Sequence, residues 1–323
     1  MQHPSSLLDM IGNTPIVELT QFDTGQCRLF IKLEYYNPGG SIKDRIAKAM
    51  IEDAEQSGQL KPGMTIVEAT AGNTGLGLAM MAVLKGYHLL LVLPDKMSKE
   101  KVDHLRAMGV EIRMTRSDVE KGHPEYYQDL AQHIAQENSN MFYINQFGNP
   151  ANPRAHETTT GPEIWQQMQH DLDAIVYGVG SSGTMTGLGR YFHQVAPDLE
   201  LILADPQGSI LADLINTGQH QTPGKWLVEG IGEDFVPSIC DLSYIKKAYT
   251  VTDAQSMQAG RELLRRTGIF AGSSTGTHLH AALAYCREQS QPKKVLTIAC
   301  DSGNKYLSKM YNDDWMRQHN LLK

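Results

Sequence analysis

Short, continuously apolar runs alternate along this chain with longer stretches of helical periodicity. Thr65-Ile66-Val67-Glu68-Ala69, the run His88 to Pro94, and Val110-Glu111-Ile112-Arg113-Met114 read as strands. Between them, Leu76 to Lys85 and Ser98 to Met108 read as helices, the second opening at a serine cap. The pattern restarts after Asn149-Pro150. Ala174-Ile175-Val176-Tyr177 is a strand, then come a glycine-rich turn and a helix through Phe192; Leu201 to Ala204 and Val295 to Ala299 are further strands. Strands that are apolar throughout, rather than alternating, suit parallel sheets covered on both faces. Strand-helix alternation therefore predicts an α/β fold with a mainly parallel sheet flanked by helices. Asn216 to Lys225 reads as a surface loop, and no internal repeat is visible.

Open α/β sheets bind ligands at the carboxyl ends of their strands, so the turns that follow strands matter most. Gly178-Val179-Gly180-Ser181-Ser182-Gly183-Thr184 leads from a strand into a helix. Small residues let backbone amides converge there, and the helix dipole favours an anion. The turn lacks the Gly-Lys-Ser/Thr of a Walker loop, and Asp205 followed by Pro206 fits a dinucleotide site poorly. It is either a cradle for a single phosphate or a tight packing turn. Thr70-Ala71-Gly72-Asn73-Thr74-Gly75 is a second such turn, able to bind a carboxylate, or else one in which Asn73 merely caps a helix. Ala271-Gly272-Ser273-Ser274-Thr275 is a third, with a serine cap as the plainer reading. Finally, Asn37-Pro38-Gly39-Gly40-Ser41-Ile42-Lys43-Asp44-Arg45 sets a lysine in the first turn of a helix, with Ser41 as N-cap and Asp44 as its box partner. The positive end of the dipole favours the neutral amine, which is a nucleophile towards carbonyls; the plainer reading is a solvated surface lysine. Taken together, a Schiff-base lysine, a phosphate cradle, a carboxylate cradle and a serine turn describe a pyridoxal-phosphate site.

Composition narrows the picture. With 323 residues, 41% hydrophobic and a net charge of −7, the chain can bury a sizeable core, and non-specific binding to nucleic acid or an anionic membrane is disfavoured. Neither a signal peptide nor a membrane-length apolar run is evident, so a cytoplasmic protein is expected. Cys27, Cys240, Cys286 and Cys300 show no paired spacing, which leaves buried or idle thiols and no metal site.

On these motifs, and on Ile11-Gly12-Asn13-Thr14-Pro15, the sequence resembles the cysteine synthase and cystathionine β-synthase family of fold-type II pyridoxal-phosphate enzymes over almost its whole length. The resemblance implies two open, mainly parallel sheets with the active site in the cleft between domains: a smaller mobile domain of residues 1–12 and 35–149, and a larger one of 13–34 and 150–323. It implies that Lys43 holds the cofactor, Asn73 meets its ring hydroxyl, Gly180, Ser181, Ser182, Gly183 and Thr184 bind its phosphate, and Ser274 faces its pyridine nitrogen. Thr70, Ala71, Gly72, Thr74 and Gln146 would close on the substrate carboxylate, and Gly230, Ile231 and Gly232 would lie at the active-site mouth. A neutral serine at the pyridine nitrogen favours loss of a β-substituent over transamination. The implied reaction is β-replacement through an aminoacrylate, with Lys43 as general base.

Asp205 to Leu211, Val228 to Pro237 and Asp301 to Leu307 resemble the cystathionine β-synthase branch. This implies that homocysteine joins serine or O-acetylserine, with a cysteine synthase using O-acetylserine and sulfide, or an amine-accepting diaminopropionate-type synthase, as the alternatives. Departures from the family are Ala71 for serine, Phe147 for tyrosine, and Ser182 for the first of a glycine pair. The resemblance further implies a homodimer, a possible serine acetyltransferase partner, and neither haem nor adenosylmethionine control.

Overall fold

A computed structural model describes residues 4–70, 72–95, 97, 99–119, 122–219 and 221–322. Among them are ten strands: β1 Ile16–Glu18, β2 Arg28–Leu33, β3 Thr65–Glu68, β4 His88–Pro94, β5 Glu111–Thr115, β6 Met141–Tyr143, β7 Ala174–Tyr177, β8 Glu200–Pro206, β9 Ile245–Val251 and β10 Lys294–Ala299. They form a four-stranded sheet in the order β5-β4-β3-β6 and a six-stranded sheet in the order β1-β2-β10-β7-β8-β9. Every pairing is parallel except that of β1 with β2. The expected α/β architecture, two open sheets flanked by helices, is what is found.

Burial explains why the apolar runs were so legible. All four residues of β7 are buried, as are Leu89 through Leu93 of β4. One face of the six-stranded sheet packs under the helices Asp253–Thr267 and Ser273–Arg287, through Leu263, Leu279 and Ala282. The other packs under the helix Gly183–Val195, through Met185, Leu188 and Phe192. In the smaller sheet, Leu91 and Leu93 meet Ile46 and Met50 of the helix Lys43–Gln56 and Leu78 of the helix Asn73–Lys85.

Several boundaries differ from expectation. The lysine helix has Ile42 as its N-cap, with no side-chain cap; Ser41 Oγ accepts from Lys43 N at 3.2 Å, and the Asp44 carboxylate reaches past Ser41 to Gly39 N at 2.6 Å. The two glycines make this possible: a side chain at Gly39 would collide with Asp44, and Gly40 adopts φ +76°. The second helix starts at Asn73, three residues before the apolar run suggests, because Gly72 and not Asn73 is its N-cap. Gly272 likewise precedes the helix that opens with Ser273 and Ser274. Asn216 lies in the helix Leu211–Thr217, where its amide clamps Ala248 of β9 through bonds of 2.9 and 3.1 Å, so the surface loop begins only at Gly218. The helix Lys99–Ala107 lies where one was expected, but its supposed cap, Ser98, lies outside the described residues.

Candidate active site

The carboxyl ends of β3, β7 and β10 converge on the N-terminus of the lysine helix. An isolated bridge between Ser41 and Asp301 joins the start of that helix to the end of β10. Here a cavity of ≈ 470 Å³ opens, with Lys43, Thr70, Gly72, Asn73, Thr74 and Gln146 on its walls. Gly180, Ser181, Gly230, Ile231, Gly232 and Ser274 complete the predicted residues that line it. Ser182, Gly183 and Thr184 are not part of the wall; they make the first turn of the helix directly behind Ser181. Ala71 lies outside the described residues.

Lys43 is the first residue of its helix, and its ammonium is desolvated among protein groups. That burial pushes its pKa below the usual lysine value, against the opposing pull of Cys300, Asp301 and Glu233. The bound proton is thus held less tightly than on a surface lysine, as nucleophilic or basic chemistry requires.

The turn after β7 is shaped by close approach. Ser182 sits at φ +69°, a left-handed conformation that is uncommon for a residue with a side chain. A side chain at Gly180 would run into the Gly230 carbonyl, and one at Gly183 into the Asn152 side chain. Asn152 braces the turn, donating from Nδ2 to Ser181 Oγ at 3.1 Å and to the Gln146 carbonyl at 2.8 Å. Behind it, the helix Ala151–Ala155 runs on into a wide π-helical turn, His156–Thr160, and then into Gly161–Gln167. His156, buried in that turn, bonds Thr160 Oγ1 through Nδ1 at 2.9 Å and Thr184 Oγ1 through Nε2 at 3.1 Å. Desolvation keeps it far below the ordinary histidine pKa, so it is neutral and orients the Thr184 hydroxyl.

Whether a phosphate fits is tested by what the turn leaves unsatisfied. The buried Ser182 hydroxyl has no hydrogen-bond partner. The first N–H groups of a 13-residue helix point the same way without partners inside the helix. Buried donors around a helix N-terminus suit a phosphate dianion. The residues present therefore fit pyridoxal phosphate: the turn would suit its phosphate, and the Lys43 amine would suit its aldehyde.

On the opposite wall, Thr74 Oγ1 donates to Gln146 Oε1 at 2.7 Å, which joins two of the predicted carboxylate-binding residues. Gln146 is held from behind by Glu68, whose Oε2 accepts from Gln146 N at 2.9 Å while Oε1 accepts from Ala69 N at 2.7 Å. Full burial raises this carboxyl to about 7, despite the two N–H donors. The Asn73 side chain is held between the two sheets: its Nδ2 donates to Asp301 Oδ2 at 2.7 Å and its Oδ1 accepts from Lys305 Nζ at 2.6 Å.

Sequence reading missed several neighbours. Cys300 is buried, as expected of the thiols, but it lines the cavity, 3.6 Å from the Tyr177 hydroxyl; burial pushes the thiol up to about 12, so it stays protonated. Asp301 and Tyr306 lie within a segment that marked only a family branch. Asn152 stands two places after Asn149-Pro150, where the pattern restarts, and that position was the one available signal. Two residues beyond Lys43, Arg45 anchors the helix from beneath. Its guanidinium binds Glu34 through Nε at 2.7 Å and Nη2 at 2.8 Å, and Glu163 through Nη1 and Nη2, both at 2.7 Å. Desolvation opposes the charge of Arg45, yet Glu34 and Glu163 outweigh it and raise its pKa. Lys32 joins the same buried network at 3.2 Å from Glu163.

The comparisons with known proteins agree with this geometry. The family model described as "Pyridoxal-phosphate dependent enzyme" matches residues 7–301. A cystathionine beta-synthase of Apis mellifera is 40% identical over 320 residues, 98% of this chain and 63% of that protein. One of Saccharomyces cerevisiae is 38% identical over 328 residues, 98% of this chain and 64% of its own. The chain thus spans less than two thirds of the length of these relatives. Among solved structures, a hydrogen sulfide-producing enzyme from Fusobacterium nucleatum superposes with a TM-score of 0.86 at 34% identity, covering 94% of this chain and 100% of that one. An O-ureido-L-serine synthase superposes at 0.88 and 32%, covering 98% and 100%. By sequence and by architecture, this chain belongs to the pyridoxal-phosphate dependent enzymes of fold type II, with pyridoxal 5'-phosphate as its cofactor.

Proposed function

We propose that this enzyme replaces the β-substituent of serine or O-acetylserine with homocysteine, forming cystathionine. The observation that carries the proposal is the cavity itself: a desolvated Lys43 amine shares one space with the glycine-serine turn after β7, which suits an anion, and with a Thr74–Gln146 pair suited to a carboxylate. The 40% identity to cystathionine beta-synthase supports homocysteine as acceptor. Bound pyridoxal phosphate supplies the electron sink for the bond broken at the substrate α-carbon. The chain supplies the rest. The Lys43 Nζ takes the α-proton and later returns it. Thr70, Gly72, Thr74 and Gln146, with Ala71, hold the carboxylate so that this proton points at Nζ. Gly180, Ser181, Ser182, Gly183 and Thr184 would hold the phosphate, Ser274 would face the ring nitrogen, and Asn73, anchored to Asp301 and Lys305, would face the ring hydroxyl. Gly230, Ile231 and Gly232 border the acceptor.

The same proposal assigns residues 1–12 and 35–149 to a mobile half and residues 13–34 and 150–323 to the cofactor-binding half. The strand membership of the two sheets supports the division, since β3 to β6 come from 65–143 and β7 to β10 from 174–299. A cytoplasmic homodimer, with serine acetyltransferase as an occasional partner, completes it. No described helix is long and apolar enough to cross a membrane.

A second reading, O-acetylserine with sulfide, is favoured by the likeness to a hydrogen sulfide-producing enzyme. Product identification separates the two. Purified enzyme is given serine or O-acetylserine, each with homocysteine or sulfide, beside Lys43→Ala as the inactive control. Cystathionine is the expected product; turnover supported by sulfide alone would rule this assignment out.

A further inference from the structure

The active-site cavity continues outward into a second one of ≈ 540 Å³, and any acceptor reaching Lys43 from that side passes through both. Glu233 lines both. Its main chain is fixed from two directions. Ser209 Oγ accepts from Glu233 N at 3.1 Å and donates to its carbonyl at 3.2 Å, and Ile210 N donates to that carbonyl at 3.0 Å. Before it, Gly232 N is tied to the Val179 carbonyl at 2.8 Å, with Gly230 and Gly232 at φ +86° and +88°. The backbone is thus set before any ligand arrives, and the side chain is left facing open space. Among the described residues, no hydrogen bond or ion pair engages the Glu233 carboxyl.

Of the other charges here, Asp234 is exposed and lines only the outer cavity, whereas two more are paired. Glu229 is paired with Lys309 at 2.6 Å, and Arg116, on the outer wall, is paired with Asp118 at 2.9 Å. Desolvation, together with Asp234 and Asp205, holds the Glu233 carboxyl well above the usual value, with only Lys43 pulling it down. A carboxyl in that state ionises when a cation enters, and the contact then gains from partial exclusion of water. Hydrosulfide, a small anion, gains nothing from an acid on its path.

We propose that Glu233 is the specificity-determining residue for the acceptor, receiving the ammonium group of a thiol that also carries a cation. This deepens the β-replacement reading above and rests on it. The test uses holoenzyme with O-acetylserine and a matched pair of acceptors, cysteamine and 2-mercaptoethanol, with homocysteine and sulfide run alongside. Wild type should prefer cysteamine in kcat/KM by at least tenfold, the discrimination that one charge-assisted hydrogen bond supplies. Glu233→Gln should erase that preference through KM, and Glu233→Asp should keep part of it. The proposal is overturned if Glu233→Gln lowers turnover equally with both thiols, as a mere counter-charge to Lys43 would, or if the preference survives. Failure of wild type with homocysteine alone would remove the cystathionine assignment while the matched pair still decides the role of Glu233. Acceptance of sulfide only would overturn both.

Discussion

Replacing Glu68 by glutamine should change how stability depends on pH, and the size of the change follows from its surroundings. The side chain is fully buried behind Gln146, and its carboxyl is raised from the ordinary 4.5 to about 7, chiefly by loss of water. In the unfolded chain the proton leaves near the ordinary value; in the folded protein it leaves later. Between those two pH values the folded state binds more protons, so stability is complete below the lower value and falls as pH rises through the upper one. The full separation corresponds to ~3.4 kcal/mol, of which about 2.5 kcal/mol develops between pH 5 and pH 8.5. Glutamine cannot ionise, and this part of the pH dependence goes with it. It keeps one carbonyl oxygen for the two N–H donors of Ala69 and Gln146, at a cost of about 1–3 kcal/mol that does not vary with pH. Denaturant unfolding of both proteins at several pH values is the assay. The gap in favour of wild type should shrink by roughly 2 to 3 kcal/mol from pH 5 to pH 8.5. Parallel curves for the two proteins would refute the reasoning, because they would mean that Glu68 is not held protonated by its burial.

Two further predictions concern the scaffold. Gly180→Ala forces a methyl group against the Gly230 carbonyl, where backbone has to give on both sides; the expected cost is about 1–3 kcal/mol, with weakened retention of pyridoxal phosphate measured by its visible absorbance after dialysis. Full retention would show that the two loops are freer than they look. Arg45→Met leaves the buried Glu34 and Glu163 with Lys32 as their remaining cation and should cost roughly 3–5 kcal/mol in denaturant unfolding. A loss below about 1 kcal/mol would mean that water already screens the cluster.

How much of this was legible depended on how local the cause was. The strands β3, β4, β7, β8 and β10 were readable because burial on both faces leaves an apolar run. The edge strand β9 was not, because its sequence interrupts the run with exposed Lys246 and Lys247. Nor were β1 and β6, at three residues each too short to carry a pattern. The turns stood out because close backbone approach demands glycine, and glycine is visible in sequence. Their supports were hidden because they come from far away. Asp301 meets Asn73 across 228 positions, and Glu163 meets Arg45 across 118. Nothing in a single sequence says that such distant carboxylates will meet these partners. The placement of Ser41 as a cap failed for a related reason: Asp44 found a better donor in Gly39, which only the folded loop presents.

The wide turn at His156–Thr160 sets the phasing of a whole rod. A helical residue advances about 100° around the axis, and a π-helical turn accommodates one residue more than its α-helical counterpart. Asn152 before the insertion and Glu163 after it are aimed as they are because that surplus residue is present. Excision of one residue there would leave a more regular helix whose downstream side chains are all rotated by about a quarter turn, with Glu163 swung away from Arg45. The fold has kept a local irregularity so that one continuous strut can serve the cofactor pocket at one end and the foundation of the lysine helix at the other.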